Sequence, residues 1–360
     1  MLWKYGRSSE FFVATAFYME AKMEENTLKR ITQTKAYKLN IIAILVVLSF
    51  ALTILSVCVG KMSFTPAESL KAIFVPDDSG ARLIIWNVRL PRVLSGGLVG
   101  ICLALSGCIL QGVMRNHLAS PSTIGVTSGA SFVGYLTLVA FPSLAYLLPI
   151  GTIIGAFATT MTIYMMAYDK GISPIKMILS GMAISAVFGA FNDIIKLMFA
   201  ENIANATGFL VGSLNGVSWK NFMMILPYAI IGIIFCFLLP SKMNILMLGD
   251  EMANSLGLQT EKFRFLLIII SSLLSGAAIS VSGMISFVGL IIPHTARLLV
   301  GSDYKYLFPT SIFLGYSLMT LCDMIGRVIL PVGEMSVSVV LSFIGAPFFL
   351  YLLRSKKNEG

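Results

Sequence analysis

From Leu39 onward the chain alternates long apolar runs with short polar breaks. The runs fall at roughly 39–59, 93–114, 126–141, 145–167, 174–199, 222–240, 265–284, 286–300, 307–330 and 335–353. Runs of this length, wound as helices, reach across the roughly 30 Å of hydrocarbon in a bilayer. Only helices or closed barrels satisfy their backbone groups there. The pattern therefore predicts an all-α integral membrane protein with about ten transmembrane helices. The eighth is short, and its boundary with the seventh is blurred at Gly283 to Ser286, as in a close helix pair or a broken helix.

Composition strengthens that reading. Of the 360 residues 57% are hydrophobic and 12% charged, and mean hydropathy is +0.87. Soluble domains carry about 25% charged residues, so the apolar surface must face lipid. The 31 glycines suit close packing of membrane helices. The net charge of +9 sits mostly outside the apolar runs. It marks a cytoplasmic face rather than a nucleic-acid surface. Cys58, Cys102, Cys108, Cys236 and Cys322 all lie in apolar segments with no CxxC pair, as buried packing thiols would. His117 and His294 read as turn residues without nearby ligands, so no metal site and no cofactor are expected.

Basic residues set the orientation. With the N-terminus inside, most of the 26 Lys and Arg fall in inner segments, and ten spans return the C-terminus to the cytoplasm. Among the exceptions are Arg89, Arg92 and Arg327, which fall at outer span ends. Three regions follow: a polar N-terminal extension at 1–38, a membrane domain at 39–354, and a basic, polar cytoplasmic tail at 355–360. The extension is too short for a domain and lacks the pattern of a signal peptide. Met19 or Met23 is the expected translation start rather than Met1.

An internal echo is present. Gly100 to Gly107 and Gly276 to Gly283 share a G-x5-S-G pattern, and Pro-Ser/Thr turns are expected to follow at 121–125 and 309–315. The two copies start on spans two and seven, which cross in opposite senses. Helices 2–5 and 7–10 are therefore expected to form an inverted repeat.

The chemistry-bearing motifs exclude most enzymes. There is no G-x-x-x-x-G-K-[ST] phosphate loop, with Val59-Gly60-Lys61 the nearest approach, and neither a G-x-S-x-G elbow nor an H-E-x-x-H helix. The stretch from Arg89-Leu90-Pro91-Arg92 runs through Gly100, Gly107, Gln111, Gly112, Asn116, Leu118, Ala119 and Pro121 to Gly125, Ser128, Gly129 and Ala130. It resembles the iron–siderophore and vitamin B12 type ABC importer permeases, in which RLPR leads to Q-G, N-P-L-A-x-P and G-x-x-S/T-G-A. His117 stands where that family usually has Pro. The segments 248–257, 282–303 and Ile344 to Phe349 resemble its later motifs in order, so the likeness covers about residues 40 to 354.

The resemblance implies a permease subunit of the bacterial cytoplasmic membrane. It pairs with a second, identical or homologous permease, takes ATP hydrolysis from two separate ABC ATPase subunits, and receives cargo from an extracytoplasmic solute-binding protein. Leu248, Gly249, Asp250, Glu251, Ala253, Leu256 and Gly257 would form the ATPase-coupling loop, which the residues themselves describe as a short helix between glycines in a polar inner loop. Arg89, Arg92 and Arg327 would dock acidic groups of the binding protein, although Asp323 stands four residues before Arg327 and can pair with it. Gly181, Ser185, Gly189 and Asn192 give the fifth span a small, polar side that would line the translocation path. The cargo would be an iron–siderophore chelate, with haem and cobalamin as rivals. A different class, a secondary transporter driven by an ion gradient, needs intramembrane carboxylates; Asp193 and Asp323 are the candidates, with Lys196 three residues from Asp193.

Overall fold

In the computed structural model of the protein, the described residues are 34–76, 79–168 and 174–355. The N-terminal extension before Thr34, with both alternative start sites, and the end of the C-terminal tail lie outside them.

Every predicted span has its helix. The first is α1 (Lys35–Cys58), which takes in the last residues of the supposed extension. After the surface helix α2 (Pro66–Phe74), α3 (Gly80–Ile84) runs through one π-helical turn at Ile85–Arg89 into α4 (Leu90–Met114). Then come α5 (Val126–Ala140), α6 (Leu148–Ala167), α7 (Pro174–Met198), the short α8 (Ile203–Val211) and α9 (Trp219–Leu238). The cytoplasmic connection holds α10 (Pro240–Met247) and α11 (Asp250–Ser255). The chain finishes with α12 (Thr260–Ser282), α13 (Val288–Val300), α14 (Tyr304–Val328) and α15 (Val337–Ser355). Among the described residues seven helices are long and apolar enough to cross a membrane, and α5, α13 and α15 are shorter apolar helices.

The blurred boundary near Gly283 is a true break. Gly283 and Phe287 both have positive φ, 67° and 68°. Phe287 pays the steric cost of that region, which for a non-Gly residue holds only where surrounding packing over-determines it. Phe287 packs against Gly345 of α15, and on the other side of the break Met284 N donates to Phe209 O of α8 at 3.1 Å. The apolar runs left α8 in the break between 174–199 and 222–240, because a nine-residue helix is too short to register as a span.

Two turn assignments are corrected. The 309–315 segment lies inside α14, with Pro309 tolerated near its start, and His294 lies inside α13 beside Phe348 rather than in a turn. An X-Pro step is a weak helix stop in lipid, where neighbouring helices absorb the missing hydrogen bond.

The core is built around α4, which is buried along nearly its whole length, and α12. These two helices pack on each other, and each packs on two helices of the opposite half: α4 on α14 and α13, α12 on α6 and α5. That exchange is the arrangement expected of the inverted repeat. The first glycine of each echoed motif also sits at an equivalent crossing, Gly100 against the backbone of Gly315 in α14 and Gly276 against that of Ile153 in α6. Small polar groups join the same crossings. Ser106 and Ser271 hydroxyls are 2.7 Å apart, Thr152 Oγ1 donates to Gly276 O at 2.9 Å, and Ser272 Oγ donates to Thr160 Oγ1 at 3.2 Å. Such bonds in a membrane core are worth about 0.6 kcal/mol each. They add register to crossings whose closeness the glycines allow.

Candidate functional site

The connection between α9 and α12 holds the first candidate surface. Gly249 opens α11 at φ 106° and Gly257 closes it at φ 83°, positions that strain any side-chain-bearing residue. Between them α11 is pinned on its inner face: Ala253 is fully buried, and Asn254 Oδ1 accepts from Thr260 Oγ1 at 3.1 Å. Met252 and Leu256, one turn apart, are 55 and 57% exposed on its other side, and Leu248, just before the non-helical Gly249, is 61% exposed. Beside it lies a groove of about 670 Å³ lined by Arg115, Leu248 to Met252 and Ser255.

Asp250 fixes the start of α11. Arg264 grips it with both terminal nitrogens, at 3.0 and 2.5 Å, and Arg115 Nη2 reaches it at 3.1 Å. Partial burial opposes ionisation of Asp250, but the hydrogen bonds and charge of Arg264, joined by Arg115, outweigh it and hold the carboxyl below its ordinary range. Glu251, exposed and next in sequence, lies in the groove wall.

The second cluster is at the opposite end. Arg89, Arg92 and Arg327, expected at a docking surface, are 6, 6 and 5% exposed and engaged within the chain. Arg92 donates to Asp323 Oδ1 at 3.0 and 2.9 Å and to Glu334 at 2.7 Å, and Arg327 lies 3.2 Å from the other Asp323 oxygen. Arg89 donates to the carbonyls of Val57 and Cys58 at 2.8 and 2.9 Å and also to Met62 O; Arg327 donates to Ser56 O at 2.9 Å. Three carbonyls of the last turn of α1, which no helical N–H can reach, are thus capped by two arginines. Around them is a cavity of about 210 Å³ whose wall includes Gly60, Lys61, Met62 and Glu334.

The four residues expected along the path divide. Gly181 packs against the Ile124 backbone, and Ser185 Oγ donates to Ser128 Oγ at 3.2 Å, so both build the crossing of α7 with the start of α5. Gly189 has nothing near it, and Asn192 Oδ1 has no partner within the described chain. Much of the remaining α7 surface is apolar and uncovered, including Met182, Val187 and Ile194. Asp193 pairs with Lys196 at 2.8 Å, and Asp323 is held by two arginines, so neither carboxylate is poised to bind a coupling ion. Among the described residues no group of three or more His, Cys, Asp or Glu is placed to hold a metal ion.

Sequence reading missed the partners. Arg264, Arg115 and Glu334 were visible only as charges, because no spacing rule links residues 14 to 242 positions apart.

The FecCD transport family model matches residues 45–355. The Fe(3+)-citrate import system permease protein YfmD of Bacillus subtilis is 38% identical over 304 residues, covering 84% of this chain and 91% of that protein. The cobalamin import system permease protein BtuC of Halobacterium salinarum is 36% identical, covering 77% and 75%. A solved chain described as an inward-facing conformation of a metal-chelate type ABC transporter superposes with a TM-score of 0.77 at 31% identity, covering 88% of this chain and 99% of that one.

Proposed function

The chain belongs to the FecCD transport family, and from that membership we propose that it carries a ferric chelate of the siderophore type across the cytoplasmic membrane as the permease half of an ATP-driven importer. The observation that carries this reading is α11: a short helix in the cytoplasmic connection with Leu248, Met252 and Leu256 exposed around it and its other face pinned to the bundle. An amphipathic helix presented in this way suits a groove on a partner. The chain has no phosphate loop, so that partner supplies the nucleotide chemistry.

The remaining assembly follows from exposed surface. The uncovered apolar side of α7 suits a second permease subunit, identical or homologous, with the exposed Gly189 toward the shared pathway. The outer rim suits a solute-binding protein. There the buried Arg89, Arg92 and Arg327 act by holding the loops around Gly60 and Glu334 in place, with Lys61 and Glu334 as the charges nearer the surface. Among the described residues no cluster of His, Cys, Asp or Glu could hold a metal ion, and on this reading cargo selection falls to the binding protein.

Uptake by a deletion strain carrying this permease with its own ATPase and binding protein tests the reading. Labelled ferric siderophore is expected to accumulate, and excess unlabelled ferric chelate to compete where haem and cobalamin do not. Competition by cobalamin or haem alone would reassign the cargo within the same importer class. Accumulation without any ATPase would overturn the importer reading.

A further inference from the structure

Arg264 heads the largest wholly enclosed side chains among the described residues, at 1% exposed, yet it lies in the second turn of α12, beside the cytoplasmic loop. A guanidinium enclosed in this way costs several kcal/mol unless its charge is matched. Its matches are Asp250 on α11 and Glu261 one turn back on α12, at 3.3 Å. The second oxygen of Glu261 accepts from Tyr164 Oη on α6 at 2.6 Å. On the other side, Arg115 reaches Asp250 from the left-handed residue that ends α4. One carboxylate on the outermost helix is thereby tied to α4, α6 and α12, the helices that make the central crossings of the bundle.

We infer that this chain of charge-assisted bonds, Tyr164–Glu261–Arg264–Asp250–Arg115, transmits displacement of α11 to α4, α6 and α12 and, through the packing of α6 on α7, to the pathway, with Arg264 and Tyr164 as positioning residues that never touch the ATPase or the cargo. The inference rests on the reading of α11 as the ATPase-coupling helix. Its physical basis is the difference between the two faces of α11. The outer face offers apolar contact to a moving partner, while the inner face is held by directional bonds that transfer a push rather than slip. Loop residues joined only by van der Waals contact would let α11 slide without moving the bundle.

The test uses the assembled complex in proteoliposomes, with ferric siderophore uptake and ATP hydrolysis measured on one sample. Arg264→Lys keeps the charge but loses the two-pronged grip; Tyr164→Phe removes one hydroxyl from a half-buried ring. Both are expected to retain the ATPase and its hydrolysis while uptake per ATP falls, about tenfold for Arg264→Lys and about threefold for Tyr164→Phe, as a loss of coupling between sites does. Unchanged uptake per ATP in both variants, or equal loss of uptake and hydrolysis, overturns the inference and leaves these residues a purely structural role. If Arg264→Lys does not assemble, Tyr164→Phe decides alone. A wild-type chain that captures no ATPase would instead remove the importer reading beneath it, a separate outcome.

Discussion

Gly100 on α4 and Gly315 on α14 lie back to back. A β-carbon built on Gly315 would stand 2.6 Å from Gly100 O, and one built on Gly100 would stand 2.7 Å from the Gly315 carbonyl carbon. Neither obstacle is a flexible side chain, so the helices would have to part. Gly100→Ala is expected to destabilise the protein by about 1–3 kcal/mol, the usual cost of overpacking. Thermal unfolding in detergent checks this. Gly189→Ala, where nothing lies within 4 Å, should leave the monomer's unfolding unchanged.

Arg92 and Asp323 form a buried pair, and removing one partner leaves the other enclosed and uncompensated. Asp323→Asn or Arg92→Gln should cost about 3–5 kcal/mol, while Arg92→Met combined with Asp323→Leu should cost less than the sum. Because Arg327 also leans on Asp323, its capping of α1 should loosen in Asp323→Asn. Protease sensitivity of the Val59 to Phe64 loop reports that loosening.

The exposed Leu248, Met252 and Leu256 separate assembly from folding. Leu248→Asp, Met252→Asp and Leu256→Asp change exposed positions and are expected to shift stability by no more than about 0.5 kcal/mol. The same changes are expected to abolish co-purification of the ATPase. Retained ATPase in the triple variant would place the partner elsewhere.

Asp250 predicts an acid limit for the loop. Its carboxyl titrates lower in the folded protein than in the unfolded chain, so its contribution is complete above the ordinary aspartate range near about 4 and is lost as pH falls through the lower folded value. Proteolysis between α9 and α12 should therefore be flat from neutrality to about pH 5 and rise in stronger acid. Asp250→Asn should remove that acid-dependent rise and leave the loop cleavable at neutral pH.

Asp193 distinguishes an ATP-driven from an ion-driven transporter. It is paired to Lys196 at 2.8 Å within α7, so its charge is already matched. Asp193→Asn should fold normally and keep full uptake. A loss of gradient-dependent uptake in this variant would support ion coupling.

The ten apolar helices are legible in the sequence, although the short α2, α8 and α10 are not. Runs such as 93–114 and 307–330 can satisfy their backbone groups in lipid only by coiling, so composition and length set α4 and α14 to within a few residues. The same local logic marked the loop between Gly249 and Gly257, because left-handed backbone calls for glycine, and the ordered motifs placed the chain in its family. Tertiary structure alone decided what the charges do. Arg89, Arg92 and Arg327 read from the sequence as surface groups, yet each finds carbonyls or carboxylates on another helix and turns inward. Arg264 carried no signal at all until folding brought Asp250 above it and Tyr164 beside its neighbour Glu261. Periodicity is a property of neighbours along the chain, whereas the partner of a buried charge is fixed by which helices cross, and that depends on where glycines such as Gly100 and Gly276 let two backbones meet.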